Sequence, residues 1–143
     1  MILLETSVLS EAIKPEPNAS VRAWLDAQRA ETVFISNISI AELLFGLGML
    51  PDGPGKDTLS KALDHIMQIF SDRTLTFERL AAWSYAELSV KATRQGKSFA
   101  TADLYNASIA SALGLAVASR HATIFEALGL AAINPWTTKS RPS

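Results

Sequence analysis

The 143-residue chain contains no cysteine, which excludes disulfide bonds, thiolate metal sites and cysteine nucleophiles. It also lacks an excess of basic charge, because its formal net charge is −1. If the protein handles nucleic acid, the attraction must therefore come from a local basic patch. Five basic residues that could supply one are Arg73, Lys91, Arg94, Lys97 and Arg120. An ordinary solvated surface is nevertheless the more frequent explanation for such charges.

Long hydrophobic runs are missing as well. Hydrophobic residues make up 48% of the chain, yet no run reaches the roughly 18 residues that a membrane-spanning helix requires. The N-terminus does not place a basic segment ahead of an apolar stretch, as a signal peptide would. We therefore expect a cytoplasmic protein without a membrane partner, whose apolar surface serves a partner protein or a second copy.

Short apolar or β-branched segments alternate with longer segments whose apolar residues recur at helical spacing. The first group comprises residues 1–4, 31–36, 73–77, 115–119 and 130–136. The second comprises residues 6–13, 20–30, 37–50, 59–70, 78–94, 100–113 and 122–128, and residues 51–56 have the composition of a turn or linker. Strands that alternate with helices imply parallel pairing through crossover connections, so the pattern predicts an α/β sandwich.

The ligand crevice of such a fold lies beyond the carboxyl ends of its strands. Glu5 follows the first predicted strand, and His121 lies just past the segment 115–119. An ionised carboxylate beside an apolar strand must reach water, a cation or a hydrogen-bond donor. We therefore predict that Glu5 points into a site at this edge of the sheet.

Two further acids stand in comparable positions. Glu42 lies in the first turns of the helix after the second strand, and Asp103 lies in the first turn of the helix that begins near Thr101. Acids that converge on one crevice repel each other, and a bound divalent cation would relieve that repulsion. Oxygen ligands suit Mg²⁺ or Mn²⁺, and these ions in turn suit phosphodiester hydrolysis.

Both helical acids also have a purely structural explanation. Ser39 and Glu42 have the spacing of a capping box, in which the acid accepts from a backbone N–H at the helix start. Asp103 could simply complement the positive end of a helix dipole. Glu5 has no such alternative from its position, because Thr6 or Ser7 is predicted to cap the first helix.

Other catalytic motifs are not found in the sequence. The glycine-rich segment 46–56 ends at Lys56 without the Ser or Thr that a phosphate-binding loop requires. No GxSxG nucleophile motif is present. His65 and His121 share no short metal-ligand spacing, and His65 is predicted to be an ordinary surface residue.

Six segments carry a resemblance that extends through residues 1–136: ILLETSVLSEAIKPEPN, VRAWLDAQ, ISNISIAELLFGL, TADLYNASIA, VASRHATIFEALGL and INPW. In order and context they resemble the PIN-domain ribonucleases of type II toxin–antitoxin modules, the VapC and FitB-like group. The resemblance implies a PIN-like three-layer α/β/α sandwich with a mainly parallel central sheet. It also implies an RNA-cleaving toxin that uses Mg²⁺ or Mn²⁺ and is neutralised by an antitoxin.

The resemblance further implies an acidic site at four positions. Glu5 stands where the family has the Asp of an Asp-Thr-Asn motif, Glu42 matches the Glu of an Ala-Glu pair, and Asp103 matches an Asp that opens a late helix. His121 replaces a fourth acid and is expected to be a weak metal ligand, a donor to phosphate or a bystander. Ser7 replaces the Asn that normally orients the site. We therefore expect weaker Mg²⁺ binding and reduced nuclease activity relative to an all-acidic relative.

The expected partners are an RNA substrate, a VapB-like antitoxin, a second copy in a homodimer, and operator DNA reached only through the antitoxin. Residues 1–136 are expected to form a single domain, and residues 137–143 a flexible tail. The alternative function is that of a catalytically weakened protein that binds the antitoxin and alters operator occupancy. Trp24, Phe45 and Leu50 are candidates for dimer or antitoxin surfaces, and equally for the core.

Overall fold

The structure, a computed structural model, describes residues 1–138 and shows an α/β fold built around a parallel sheet. Within the described residues, five strands lie in the order β3-β2-β1-β4-β5, and every neighbouring pair is parallel. The strands are β1 (Ile2–Leu4), β2 (Val33–Ser36), β3 (Thr74–Leu75), β4 (Ala116–Ala118) and β5 (Ala132–Ile133). Because β1 is the central strand, the side chains that follow it emerge at the middle of the carboxyl edge.

Seven α-helices of the described chain connect or follow these strands. They are α1 (Thr6–Ala12), α2 (Ala19–Asp26), α3 (Asn37–Gly48), α4 (Pro54–Ile69), α5 (Arg79–Arg94), α6 (Thr101–Leu113) and α7 (Ala122–Ala127). A short 3-10 turn, Ala30–Thr32, leads into β2. Each strand is joined to the next strand along the chain by a connection that contains helix, as parallel pairing requires.

Alternate residues of the central strands enter two separate cores, one on each face of the sheet. Leu4 and Ile35 belong to the core that α1 to α4 cover. Leu3 and Val117 belong to the core that α5 to α7 cover. Successive strand residues point to opposite faces, so the sheet is enclosed between two helical layers. The predicted three-layer α/β/α sandwich is confirmed.

One predicted connection is wrong. The segment 51–56 was expected to be a turn or linker, whereas α4 begins inside it at Pro54. Proline is well suited to the first helical turn because it has no N–H group to leave unpaired there. Gly53 precedes it with a φ of 150°, a backbone conformation that residues with a Cβ rarely adopt.

Several predicted elements are shorter than expected, and the strand 130–136 is reduced to β5, Ala132–Ile133. The second predicted helix, residues 20–30, ends at Asp26. The predicted strand 73–77 pairs only through Thr74–Leu75, which align with the last two residues of β2. The pairing stops there because β2 ends at Ser36 and α3 begins at Asn37.

The surface of the described chain includes several apolar side chains. Phe45 is 71% exposed and Leu50 is 38% exposed, whereas Trp24 packs against the core beneath α1 to α4. Of the three candidates for a partner surface, Trp24 is therefore a core-packing residue. No helix within residues 1–138 is long and apolar enough to cross a membrane.

The predicted tail, residues 137–143, lies mostly outside the described residues. Its first two members, Thr137 and Thr138, each donate a backbone hydrogen bond of 3.2 Å to the carbonyl oxygen of Asn134. The division into a domain of residues 1–136 and a flexible tail stays a prediction.

Candidate active site at the carboxyl edge of the sheet

Glu5 is the first residue beyond the central strand and lies at the predicted edge. Its backbone N–H still donates to the carbonyl oxygen of Ala118 at 3.0 Å, which fixes it between β1 and β4. The residue is only 5% exposed. A carboxylate this deeply buried requires several hydrogen-bond donors to replace lost hydration.

Three donors meet the carboxylate of Glu5, and all three reach the same oxygen, Oε2. They are the Ser7 backbone N–H at 3.0 Å, the Ser7 hydroxyl at 2.6 Å and the Ser119 hydroxyl at 2.9 Å. Glu5 is therefore the N-cap of α1, and the prediction that Thr6 or Ser7 caps this helix is wrong. The reason is that the Glu side chain folds back onto the N–H two residues ahead. The Glu5 carboxylate thus caps α1 and also belongs to the candidate site.

The same two serines hold the loop between β4 and α7 against α1. Ser7 Oγ accepts from the backbone N–H of Arg120 at 2.9 Å, and Ser119 Oγ accepts from the backbone N–H of His121 at 2.9 Å. His121 is exposed and directly precedes α7. The guanidinium of Arg120 lies 5.3 Å from the centre of the Trp136 ring. Ser7, in place of an amide, thereby ties Glu5 to the loop that carries His121.

Glu42 lies in the second turn of α3 and is exposed. Its Oε1 accepts a hydrogen bond of 2.6 Å from the Thr6 hydroxyl. The capping-box explanation is wrong, because Ser36 caps α3 by accepting from the Ser39 N–H at 3.1 Å. Ser39 is already inside the helix and completely buried. The partner of Glu42 is therefore a side chain of α1.

Asp103 lies in the first turn of α6 and is half-buried. Burial raises the pKa of Asp103, and the negative charges of Glu5 and Glu42 raise it further, whereas His121 lowers it. Its place in the first turn is also compatible with the helix-dipole explanation. The charges of Glu5, Glu42 and His121 nevertheless all shift the pKa of Asp103. The four predicted positions therefore lie close enough together to interact electrostatically.

The carboxylate oxygens of Glu5, Glu42 and Asp103 are suitable ligands for a hard divalent cation. Like charges that raise the pKa of a third carboxyl are relieved by a bound cation, and carboxylate oxygens are the ligands that Mg²⁺ and Mn²⁺ prefer. Within residues 1–138, however, no three acidic, histidine or cysteine side chains form a ready-made metal cluster. Mg²⁺ usually keeps several waters and binds one or two carboxylates directly, so separated carboxylates still fit it.

Sequence reasoning missed a buried polar network behind the acids. Its members that are fully buried are Ser36, Ser39 and Asn106, and Thr6 connects them to Glu42. One signal was available: Asn106 follows Asp103 by three residues, and such residues share one face of a helix. An amide on the face that carries a site acid is a candidate for contact with that site.

The candidate basic patch is not supported at its first member. Arg73 donates hydrogen bonds to the carbonyl oxygens of Ala30, Val33 and Ile69, and its guanidinium lies 4.5 Å from the centre of the Phe70 ring. These contacts give Arg73 a structural role at the end of α4. His65 is exposed on α4, as predicted for an ordinary surface residue.

Comparison with known sequences assigns this chain to a family. The model of the PIN domain matches residues 2–127. The plasmid stability protein StbB of Pseudomonas syringae pv. tomato is 44% identical, over 95% of this chain and 99% of that protein. The VapC ribonuclease Y4jK of Sinorhizobium fredii is 43% identical, over 95% and 98%. The toxin FitB of Neisseria gonorrhoeae is 41% identical, over 95% and 99%.

Solved structures agree with this result. The crystal structure of FitAcB from Neisseria gonorrhoeae contains a chain that matches with a TM-score of 0.89 and 40% identity, covering 96% of this chain and all of that one (100%). The structure of FitAB bound to an IR36 DNA fragment matches with a TM-score of 0.89 and 37% identity, covering 99% and 100%. The resemblance inferred from the sequence is confirmed, and the chain belongs to the PIN domain family.

Proposed function

We propose that this chain is the toxin of a type II toxin–antitoxin module and acts as a metal-dependent endoribonuclease. The observation that carries the proposal is that Glu5 follows β1, Glu42 lies on α3 and Asp103 lies in the first turn of α6, and that burial and then the charges of Glu5 and Glu42 raise the pKa of Asp103. The VapC ribonuclease and the toxin FitB, at 43% and 41% identity, support the same function.

In this proposal Glu5, Glu42 and Asp103 hold Mg²⁺ or Mn²⁺, and His121 is a weaker ligand. When bound, the cation stabilises negative charge on the attacked phosphate and makes water a better nucleophile. Because all three hydrogen bonds that the Glu5 side chain accepts within the described chain reach Oε2, Oε1 would be the oxygen available to the cation. One of the three acids also orients the attacking water.

The hydroxyl groups around the acids keep these carboxylates in place. Thr6 holds Glu42, and Ser7 and Ser119 hold Glu5. Preorganised ligands of this kind avoid the cost of ordering side chains when the cation and RNA bind. Ser7 supplies the anchoring that the family obtains from Asn, so this departure leaves Glu5 supported.

His121 is the departure that weakens the site. It removes one negative charge from the edge and offers a nitrogen in place of an oxygen ligand, which favours Mn²⁺ and other transition metals over Mg²⁺. Its exposed position at the start of α7 also allows it to donate a hydrogen bond to an RNA phosphate.

The proposed partners follow from the described complexes of relatives. FitAB is described with bound DNA, so we propose a VapB-like antitoxin that neutralises this chain and contacts operator DNA on its behalf. We further propose a cytoplasmic homodimer. The alternative, a catalytically weakened protein that acts only by binding antitoxin, is not favoured, because three acids are retained and two of them have dedicated hydroxyl partners.

The test is RNA cleavage by the purified, antitoxin-free chain with Mn²⁺ or Mg²⁺. We expect cleavage that EDTA abolishes, and a loss of about 100-fold in Asp103→Asn, since even outer partners of metal ligands are worth 10–100-fold. Asp64→Asn, an exposed acid on α4, is the matched control and should cleave like the wild type. Absence of cleavage with either ion, or cleavage in EDTA, would contradict the proposal.

A further inference from the structure

Asn106 is a primary amide buried in the layer of α6. It is 0% exposed, and both ends of its side chain have a partner. Oδ1 accepts from the Ser36 hydroxyl at 2.5 Å, and Nδ2 donates to Ser39 Oγ at 3.2 Å. A buried amide is tolerated only when it is paired, and here the partners come from the end of β2 and the first turn of α3.

The network reaches a site acid through one shared hydroxyl. Thr6 Oγ1 lies 2.8 Å from Ser39 Oγ and 2.6 Å from Glu42 Oε1, yet a threonine hydroxyl has a single proton to donate. The Asn106 amide is a second donor to Ser39 Oγ, so Ser39 keeps a hydrogen-bond donor when the Thr6 proton goes to Glu42. Donation to a carboxylate is also the stronger of the two bonds.

The same amide joins the two helices that carry site acids. Asn106 follows Asp103 by three residues on α6, and Ser39 precedes Glu42 by three residues on α3, so each pair lies on one helix face. The bond between Asn106 and Ser39 therefore fixes the turn that carries Asp103 against the turn that carries Glu42. Cations such as Mg²⁺ demand near-ideal geometry, which makes this relative position important.

We propose that Asn106 is a positioning residue for the acidic site, which sets the orientation of Glu42 through Ser39 and Thr6 and the placement of Glu42 relative to Asp103. This inference rests on the proposed function in one respect, that these acids bind a divalent cation. It makes no use of the RNA substrate. Its test can therefore be separated from the test of ribonuclease activity.

The test is Mn²⁺ binding to the full-length, antitoxin-free chain, measured by calorimetry, in Asn106→Leu and Ser39→Ala. Each variant breaks the network at a different link, and we expect the dissociation constant to rise about tenfold or more in both, as for other outer partners of metal ligands. The double variant should bind no more weakly than the weaker single variant, because residues of one network are not additive.

The matched control is Ser108→Ala on the same helix. Ser108 is fully buried, and its hydroxyl donates to the Leu104 carbonyl oxygen at 2.5 Å, so the variant also loses a buried hydrogen bond but leaves the network intact. Its Mn²⁺ affinity should equal that of the wild type. This control separates a general loss of stability from a loss of positioning.

Each outcome decides the question. Unchanged Mn²⁺ affinity in folded Asn106→Leu or, if that variant does not fold, in Ser39→Ala would overturn the inference and leave Asn106 a purely structural residue. A wild type that binds no Mn²⁺ would overturn it together with the proposed function. A wild type that binds Mn²⁺ without cleaving RNA would contradict the ribonuclease proposal alone.

Discussion

The Thr6 hydroxyl donates a hydrogen bond of 2.6 Å to Glu42 Oε1, and thereby joins the first turn of α1 to the second turn of α3. The two residues are 36 positions apart in the chain, so this contact exists only once the sheet has formed. It connects the capping region of the helix that follows the central strand to an acid on the neighbouring helix. The candidate site is therefore supported by tertiary contacts as well as by local structure.

Replacement of Thr6 by valine should impair the site more than the fold. Thr6→Val keeps the shape but removes the proton that orients Glu42. We expect RNA cleavage to fall about tenfold or more and the free energy of unfolding to fall by about 1 kcal/mol. Thr58→Val is the control, because its hydroxyl bonds only a backbone carbonyl on exposed α4. Equal cleavage rates in the two variants would contradict the role given to Thr6.

Restoration of an acid at position 121 should strengthen Mg²⁺ binding. His121→Asp returns one negative charge to the edge, and we expect the Mg²⁺ dissociation constant to fall roughly tenfold, equivalent to about 1.4 kcal/mol. RNA cleavage in Mg²⁺ should rise as well. His65→Asp adds the same charge at an exposed position of α4 and should change neither quantity. Mg²⁺ affinity and cleavage that His121→Asp leaves unchanged would show that His121 is a bystander.

Removal of the Asp103 charge should stabilise the metal-free protein near neutral pH. Burial and then the charges of Glu5 and Glu42 raise the pKa of Asp103 in the folded state. The folded state therefore holds the Asp103 proton more tightly than the unfolded chain, and stability falls as pH rises from about 3.9 through the raised pKa. In EDTA, Asp103→Asn should melt above the wild type at pH 7, and this difference should vanish at acid pH.

Addition of Mg²⁺ provides the reverse experiment on the same pair of proteins. A cation that binds only the folded state raises the melting temperature, so the wild type should gain stability and Asp103→Asn should not. An Asp103→Asn variant that melts below the wild type in EDTA at pH 7 would contradict the electrostatic argument.

Glu11 should make the opposite contribution to the pH dependence of stability. It is buried, and its carboxylate accepts from Lys14 Nζ at 2.6 Å and from the Asn18 backbone N–H at 2.9 Å. The bond from Lys14 and then that from Asn18 lower the pKa of Glu11, although burial opposes them. The stabilisation is present above the unfolded pKa of about 4.3 and is lost as pH falls through the lowered folded value.

The variant that tests this contribution is Glu11→Gln. We expect it to reduce the free energy of unfolding at pH 7 by about 1.5–3 kcal/mol, the range for hydrogen bonds to a charged group, and to differ less from the wild type at pH 3. Glu16→Gln, at an exposed acid in the loop that follows α1, should have no effect at either pH. A constant deficit of Glu11→Gln across this pH range would exclude the ionised carboxylate as its cause.

The fold was accessible from the sequence because it depends on local pattern, and the same pattern assigns the four candidate site positions to strand ends and helix starts. The apolar run before Glu5 predicts a buried strand, and alternation with helices predicts parallel pairing, which brings strand ends to one edge. The helix starts near Glu42 and Asp103 follow from the same periodicity. Placement of the acids at one edge therefore needed no knowledge of tertiary contacts.

The partners of those acids were not accessible, because they depend on packing between distant segments. Asn106 meets Ser36 across 70 positions of the chain, and no local pattern specifies that contact. The capping predictions failed for a related reason. Glu5 caps α1 instead of Thr6 or Ser7, and Ser36 caps α3 instead of Ser39. Neighbouring polar side chains compete for the same free N–H groups at a helix start.

Calorimetric titration of the purified, antitoxin-free chain with Mn²⁺ and Mg²⁺, beside Asp103→Ala, shows whether the three acids bind one cation. If Glu5, Glu42 and Asp103 form one cation site, the heat of binding saturates in the wild type and disappears in Asp103→Ala. The wild type should also bind Mn²⁺ with a higher affinity than Mg²⁺. Absence of binding in the wild type, or equal binding in Asp103→Ala, would contradict the existence of that site.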